Sequence, residues 1–177
     1  LRMQEKDPRV FVPQQFANVN NVKAHKNHTA LEIMEQVAGQ IDGFCSGIGT
    51  GGTITGIGES LRAQYPGIEI WAVEPENAAI LAGGTIGTHL QMGIGDGIIP
   101  DILNQQIYDN IYVISDAEAL DTAKRLAREE GLMCGISSGT NVAAAIQLAK
   151  KLGPGKTVVT VLPDTAERYF STPLFEE

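Results

Sequence analysis

The stretch Ser46-Gly-Ile-Gly-Thr-Gly-Gly-Thr53 decides how this chain reads. It separates the short apolar run 41–45 from residues 53–65, where Ile54, Ile57 and Leu61 recur at helical spacing. The pattern is therefore strand, glycine-rich turn, helix. Pro66-Gly67 stops that helix, and 68–73 is a second unbroken apolar run, the mark of a strand buried on both faces. Working outward, 111–114, 132–134 and 157–162 (TVVTVL) read as further strands. Ser115-Asp-Ala-Glu118 caps a helix that ends at Gly131, and Gly135-Ile-Ser-Ser-Gly139 opens an alanine-rich helix closed by Gly153-Pro154.

Toward the amino end the signals weaken. Residues 1–8 are polar, 10–12 is a short extended stretch stopped by Pro13, and the Asn- and Gln-rich segment 14–27 reads as a loop. Thr29-Ala-Leu-Glu32 has the form of a capping box, with Leu31, Met34 and Val37 behind it, and predicts a helix to about Gly39. Residues 77–100 are rich in glycine and without period, and a loop of that length inside a domain is usually functional. Residues 163–177 read as an irregular tail. Strands alternating with helices predict an α/β fold, a mainly parallel sheet with helices on both faces.

Composition bounds the function. The chain has 177 residues, 43% of them hydrophobic and 19% charged, which is enough apolar matter for a core and excludes a charge-rich disordered chain. A net charge of −8 without a basic cluster argues against nucleic acid. No apolar run is long enough for a membrane helix. The two cysteines, Cys45 and Cys134, have neither metal-ligand nor CxxC spacing, so they read as small core residues in a reduced, cytoplasmic setting. His25, His28 and His89 fit no ligand pattern and read as surface or loop side chains. Trp71 and Tyr65 read as packing. Asp164 and Glu167 follow the last strand and could orient a group near a ligand, the plainer reading being solvated loop.

A turn of this kind, opening a helix, is an anion site, because first-turn N–H groups are free and the dipole is positive there. Two ligands fit. Gly47, Gly49 and Gly52 satisfy GxGxxG, and Glu74 closes the next strand where a ribose-binding acid would sit, which describes a dinucleotide and an NAD(P)-dependent oxidoreductase. The hydroxyls of Ser46, Thr50 and Thr53 suit a small phosphate monoester instead. At the second turn, Ser137 or Ser138 could meet a ligand or could simply be the N-cap.

Taken together, GTGGTITG (49–56), AVEP (72–75), GIGDGIIP (93–100), GISSG (135–139) and ERYFST (167–172) resemble the cysteine synthase (O-acetylserine sulfhydrylase) family of fold-type II pyridoxal phosphate enzymes, in that family's order and spacing. The resemblance implies that Gly49, Thr50, Gly51, Gly52 and Thr53 hold the cofactor phosphate and that Ser137 meets the pyridine nitrogen. It places Gly93 on the substrate cleft and leaves Glu74 a structural role. A hydroxyl does not keep the pyridine nitrogen protonated as a carboxylate would, which suits prompt β-elimination over a long-lived carbanion. The implied reaction makes L-cysteine from O-acetylserine and sulfide. A cystathionine β-synthase-type replacement shares these motifs, and an inactive module that docks the tail of serine acetyltransferase is a third reading. The family also implies a homodimer.

None of the seven lysines (Lys6, Lys23, Lys26, Lys124, Lys150, Lys151, Lys156) stands in the family's Schiff-base pattern. With Leu1 rather than Met at the start, the sequence is expected to be the carboxyl-terminal portion of a longer enzyme whose lysine lies upstream. Residues 1–12 would then end a smaller domain and 13–177 form an incomplete cofactor domain. Asp96, Val19 and the Asn27-His28 pair depart from the family's usual residues, and Asp96 puts a charge where a small residue is expected.

Overall fold

Buried parallel strands take continuous apolar runs, and the runs at 41–45, 68–73, 111–114 and 157–162 each supply one here. The structure, a computed structural model, describes residues 2–175. In chain order its elements begin with α1 (Arg2–Lys6), α2 (Asn20–Ala24), a π-helical turn (His25–Thr29) and α3 (Ala30–Gln36). Then come β1 (Gly43–Gly47), α4 (Gly52–Gln64), β2 (Glu69–Pro75) and β3 (Asn110–Ile114). The series ends with α5 (Asp116–Glu129), α6 (Ile136–Leu152) and β4 (Val158–Thr160). Among the described residues the strands of the sheet pair in parallel, in the order β3-β2-β1-β4.

Side chains alternate across the sheet as the strand period requires. Phe44, Ile70 and Ala72 point to one face, where they meet Ala30 of α3 and Ile54, Ile57 and Leu61 of α4. Cys45, Trp71 and Val73 point to the other, against Ala119 and Ala123 of α5 and Ala144 and Leu148 of α6. The α/β reading with both faces covered thus holds. Trp71 is core and stacks on Tyr112 at 5.7 Å between ring centroids. Ser115 caps α5 by accepting from the Glu118 N–H, and Gly131 leaves it at φ +71°.

From β1 the chain winds both ways. It reaches β2 through α4 on one face, while β4 arrives through α5 and α6 on the other. The strand order therefore reverses at β1, and the crevice at the carboxyl ends of β1 and β4 is where such sheets bind ligands.

Several expectations change. Segment 14–27 is not all loop, since helical backbone runs from Asn20 through the π turn to Gln36. Asn18 starts it, its Oδ1 accepting from the Asn20 N–H at 3.0 Å, and Thr29 lies inside at φ −55°, ψ −43° without capping anything. The π turn inserts an extra residue per turn, which breaks the 3.6-residue period that a sequence reading follows. Residues 132–134 form no sheet strand; Cys134 makes one antiparallel bridge to Thr165. Only Val158–Thr160 of the last apolar run pairs, and residues 10–12 join no ladder. The polar opening carries the short helix α1 and the tail a 3₁₀ turn at Ala166–Tyr169, with Leu1, Glu176 and Glu177 outside the described residues.

Candidate functional site

A cleft of about 980 Å³ occupies the switch point, walled by the turn after β1, the start of α6, the segment after β4 and the Gly93 loop. The turn is built for close approach. Gly51 sits at φ +79°, a left-handed backbone that bends the chain into α4. Gly49 lies directly against the Gly93 loop: a Cβ on it would stand 2.3 Å from the Gly93 carbonyl oxygen. The loop is tied there by a hydrogen bond from the Gly95 N–H to the Ile48 oxygen, 2.9 Å. Gly93 and the turn, far apart in sequence, therefore form one wall.

The hydroxyls of the turn are oriented from α2 and the π turn. Asn21 Nδ2 donates to Thr50 Oγ1 at 2.9 Å, and the Gly52 N–H donates to the same oxygen at 3.3 Å. With both lone pairs engaged, the Thr50 proton is left to point elsewhere. Thr53 Oγ1 lies 3.2 Å from His25 Nε2, and His25 Nδ1 lies 3.0 Å from Thr29 Oγ1. Gly52 admits Asn21, since a Cβ there would stand 2.1 Å from the Asn21 Oδ1. Among the described residues none accepts from the backbone N–H groups of Gly49, Thr50 or Gly51. Converging free donors at a helix start, without an opposing carboxylate on the turn, match a phosphate.

Ser137 faces the same cleft from the first turn of α6 and is 5% exposed. Gly135 is the N-cap of that helix, at φ −73°, ψ 172°, so neither Ser137 nor Ser138 serves as one. One turn later Asn141, missed in the sequence, clamps the crevice. Its Oδ1 accepts from the Gly47 N–H at 2.7 Å and its Nδ2 donates to the Val161 oxygen at 2.8 Å. Its signal was only an Asn in an apolar helix.

Glu74 is buried and bonded. Its two carboxylate oxygens accept from the Leu81 and Ala82 N–H groups at 3.0 and 3.1 Å, so it braces the long loop and does not line the cleft. With the middle glycine against Gly93 and Glu74 engaged, the dinucleotide reading loses both its supports. Asp96 lines the cleft and is exposed. None of the seven lysines lines it. Lys26, Lys151 and Lys156 pair with Glu59, Glu69 and Asp42 instead. Among the described residues no grouping could hold a metal ion.

Two residues read as solvent-facing belong to the site. His25 is half-buried in the cleft wall, whereas His28 is exposed as expected. Asp164 is not solvated loop, since its Oδ2 accepts from the Tyr169 hydroxyl at 2.6 Å and its Oδ1 is buried. Glu167 is exposed. Both cysteines are buried, and burial pushes the Cys45 thiol up to about 12.

Burial holds the His25 ring below its ordinary 6.5, so the folded chain favours the neutral imidazole. Stability from this group is complete above the unfolded value and is lost as pH falls through the lowered folded one. The urea midpoint of the cofactor-free protein is expected to fall between pH 7 and pH 5.5. In His25→Gln that part of the slope should vanish; an unchanged slope would remove His25 from this account.

The model of the family described as "Pyridoxal-phosphate dependent enzyme" matches residues 1–164. Cysteine synthase of Staphylococcus aureus (strain N315) is 51% identical over 166 residues, 93% of this chain and 54% of that protein. The crystal structure of O-acetylserine sulfhydrylase isoform 3 from Entamoeba histolytica superposes with a TM-score of 0.94 at 38% identity, over 99% of this chain and 53% of that one. O-acetylserine-dependent cystathionine β-synthase from Helicobacter pylori does so at 0.93 and 36%, over 98% and 56%. The chain spans about half the length of the curated relatives it matches. With free N–H donors at a helix start and a small hydroxyl facing the same switch-point cleft, and with the family model matching residues 1–164, this chain belongs to the pyridoxal-phosphate dependent enzymes.

Proposed function

We propose that this chain supplies the cofactor site of an enzyme that makes L-cysteine from O-acetylserine and sulfide by β-replacement. The observation that carries the reading is the convergence, across one cleft, of the free donors at 49–51 and the buried Ser137 hydroxyl. Pyridoxal phosphate, when bound, supplies the electron sink for loss of a β-substituent from an amino-acid substrate.

The chain's own residues divide the remaining work. The N–H groups of Gly49, Thr50 and Gly51 take the phosphate, and the Thr50 hydroxyl adds a donor aimed by Asn21. Thr53 is steadied by His25. Ser137 meets the pyridine nitrogen. Gly93 and Asp96 face the space left for the substrate. The S. aureus relative carries the same named activity, and the E. histolytica structure is named for the same reaction. A homodimer and docking of an acetyltransferase tail in this cleft extend the reading on the resemblance alone. Among the described residues no helix is long and apolar enough to cross a membrane.

The test is reconstitution of the lysine-containing full-length protein with pyridoxal phosphate, followed by O-acetylserine with sulfide or with homocysteine. One cofactor per chain, a visible spectrum altered in Ser137→Ala, and cysteine formed from sulfide are the expected results. Failure to take up the cofactor would end the reading, and turnover with homocysteine alone would move it to the cystathionine-forming reaction.

A further inference from the structure

Two threonines of the cleft wall share one imidazole between them. His25 Nε2 lies 3.2 Å from Thr53 Oγ1 and its Nδ1 3.0 Å from Thr29 Oγ1, and all three side chains line the cleft. Among the described residues the imidazole is the hydrogen-bond partner of both hydroxyls and neither has a second. Neither turns back to the helix carbonyl four residues earlier, as the Thr140 hydroxyl does to Ile136. Each therefore keeps a bond to give, and Thr53 keeps its own at the start of α4, beside the free N–H groups of the turn.

The meeting is built into the fold. His25 and Thr29 are the first and last residues of the π-helical turn, a distortion found mostly at functional sites. Gly56 of α4 makes room for that turn: a Cβ on it would stand 2.5 Å from the Val22 oxygen and 2.8 Å from His25 Cβ. Gly52, one turn earlier, does the same for Asn21. The two glycines let α2 and the π turn close on the helix that carries Thr53.

Thr50 shows what a donor behind a hydroxyl achieves. Asn21 Nδ2 donates both to Thr50 Oγ1 and to the Gln15 oxygen, at 2.9 and 3.0 Å, so the amide is oriented and the Thr50 proton is left for a ligand. Burial keeps the His25 ring neutral, so one nitrogen donates and the other accepts. With the proton on Nδ1, Nε2 would accept from Thr53 and turn its proton away from the cleft. With the proton on Nε2, the ring donates to Thr53 and accepts from Thr29. A phosphate offers acceptors only and favours the second form. We propose that His25 is a positioning residue for the cofactor phosphate: backed by the Thr29 hydroxyl, its Nε2–H donates to Thr53 Oγ1 and turns the Thr53 proton toward the phosphate. The inference rests on the reading above, in which the turn at 49–53 holds that phosphate.

The experiment uses the lysine-containing full-length holoenzyme with ring-15N histidine, the His25 signals being assigned by difference against His25→Gln. The nitrogen spectrum is expected to show a neutral ring protonated on Nε2, a form that a merely structural histidine has no reason to hold. Cofactor affinity should fall about tenfold in His25→Leu, the loss of one aimed bond to a charged acceptor. His25→Gln, whose amide still donates to Thr53, should lose much less. In a Thr53→Val background His25→Leu should add little. A ring protonated on Nδ1 would overturn the proposal, because Nε2 would then take the proton meant for the phosphate. So would equal losses in His25→Gln and His25→Leu, or a loss in His25→Leu that is as large with Thr53→Val as without it. A wild-type protein that takes up no cofactor would instead overturn the functional reading itself.

Discussion

Gly49→Ala is expected to weaken pyridoxal phosphate binding on the order of 100-fold while leaving the chain folded. The added methyl would stand 2.3 Å from the Gly93 carbonyl oxygen, a backbone atom that cannot rotate away. The Gly93 loop has little room to retreat. Gly95 is hydrogen-bonded to Ile48, and Ile94 packs so closely under Gly47 that a Cβ there would meet it at 3.0 Å. Either the turn or the loop must move, and either movement misaims the N–H groups of 49–51. Overpacking of this kind costs about 1–3 kcal/mol, taken here mostly from the bound state. Titration of the cofactor, followed by absorbance beside a thermal melt, measures it. Gly67→Ala, where nothing lies within 4 Å, is the control. Affinity within a few-fold of wild type would mean that the turn does not carry the phosphate.

Gly139→Ala should damage the fold rather than the site. In an exposed helix interior this change stabilises by about 1 kcal/mol, because alanine is the better helix former. Here the sign reverses. The new Cβ would stand 2.1 Å from the Ala119 carbonyl oxygen and 2.8 Å from the Ala123 nitrogen, both backbone atoms of α5. The two helices must separate, opening the face of the core that holds Ala123, Ala143 and Ala144. A loss of about 3 kcal/mol is expected in urea unfolding, with the thermal midpoint lower by roughly 6–12 °C. A neutral or stabilising result would refute the close α5–α6 contact.

Local chemistry explains which features were legible in the sequence. Strands 43–47 and 69–75 announce themselves because burial on both faces demands unbroken apolar residues. Ser115 and Gly131 announce α5 because capping is a matter of a few adjacent residues. The turn at 49–53 is legible from the same short-range signals and Ser137 only through the family resemblance, and the cleft gathers both. His25 and Asn141 are not legible as parts of it, and Asp164 is legible only as a group that could orient a ligand, with its Tyr169 partner unforeseen. His25 meets Thr53 across 28 residues, and Asn141 meets Gly47 across 94, so no window of sequence contains either contact. The glycines carry a second role that the sequence does not display. Gly49, Gly52 and Gly135 read as turn or ligand glycines, yet each makes room for another part of the chain, which only the folded arrangement reveals.

The Asn141 amide joins the backbone below the glycine-rich turn to the segment after β4, from a helix position one turn beyond Ser137. On the proposed function, the phosphate end and the ring end of the cofactor site share this one crossbar and do not drift apart independently. The cleft then behaves as a gauge of fixed length, testing the span from ring nitrogen to phosphate. A cofactor analogue with its phosphate arm lengthened by one bond would satisfy either end of the gauge, but not both together.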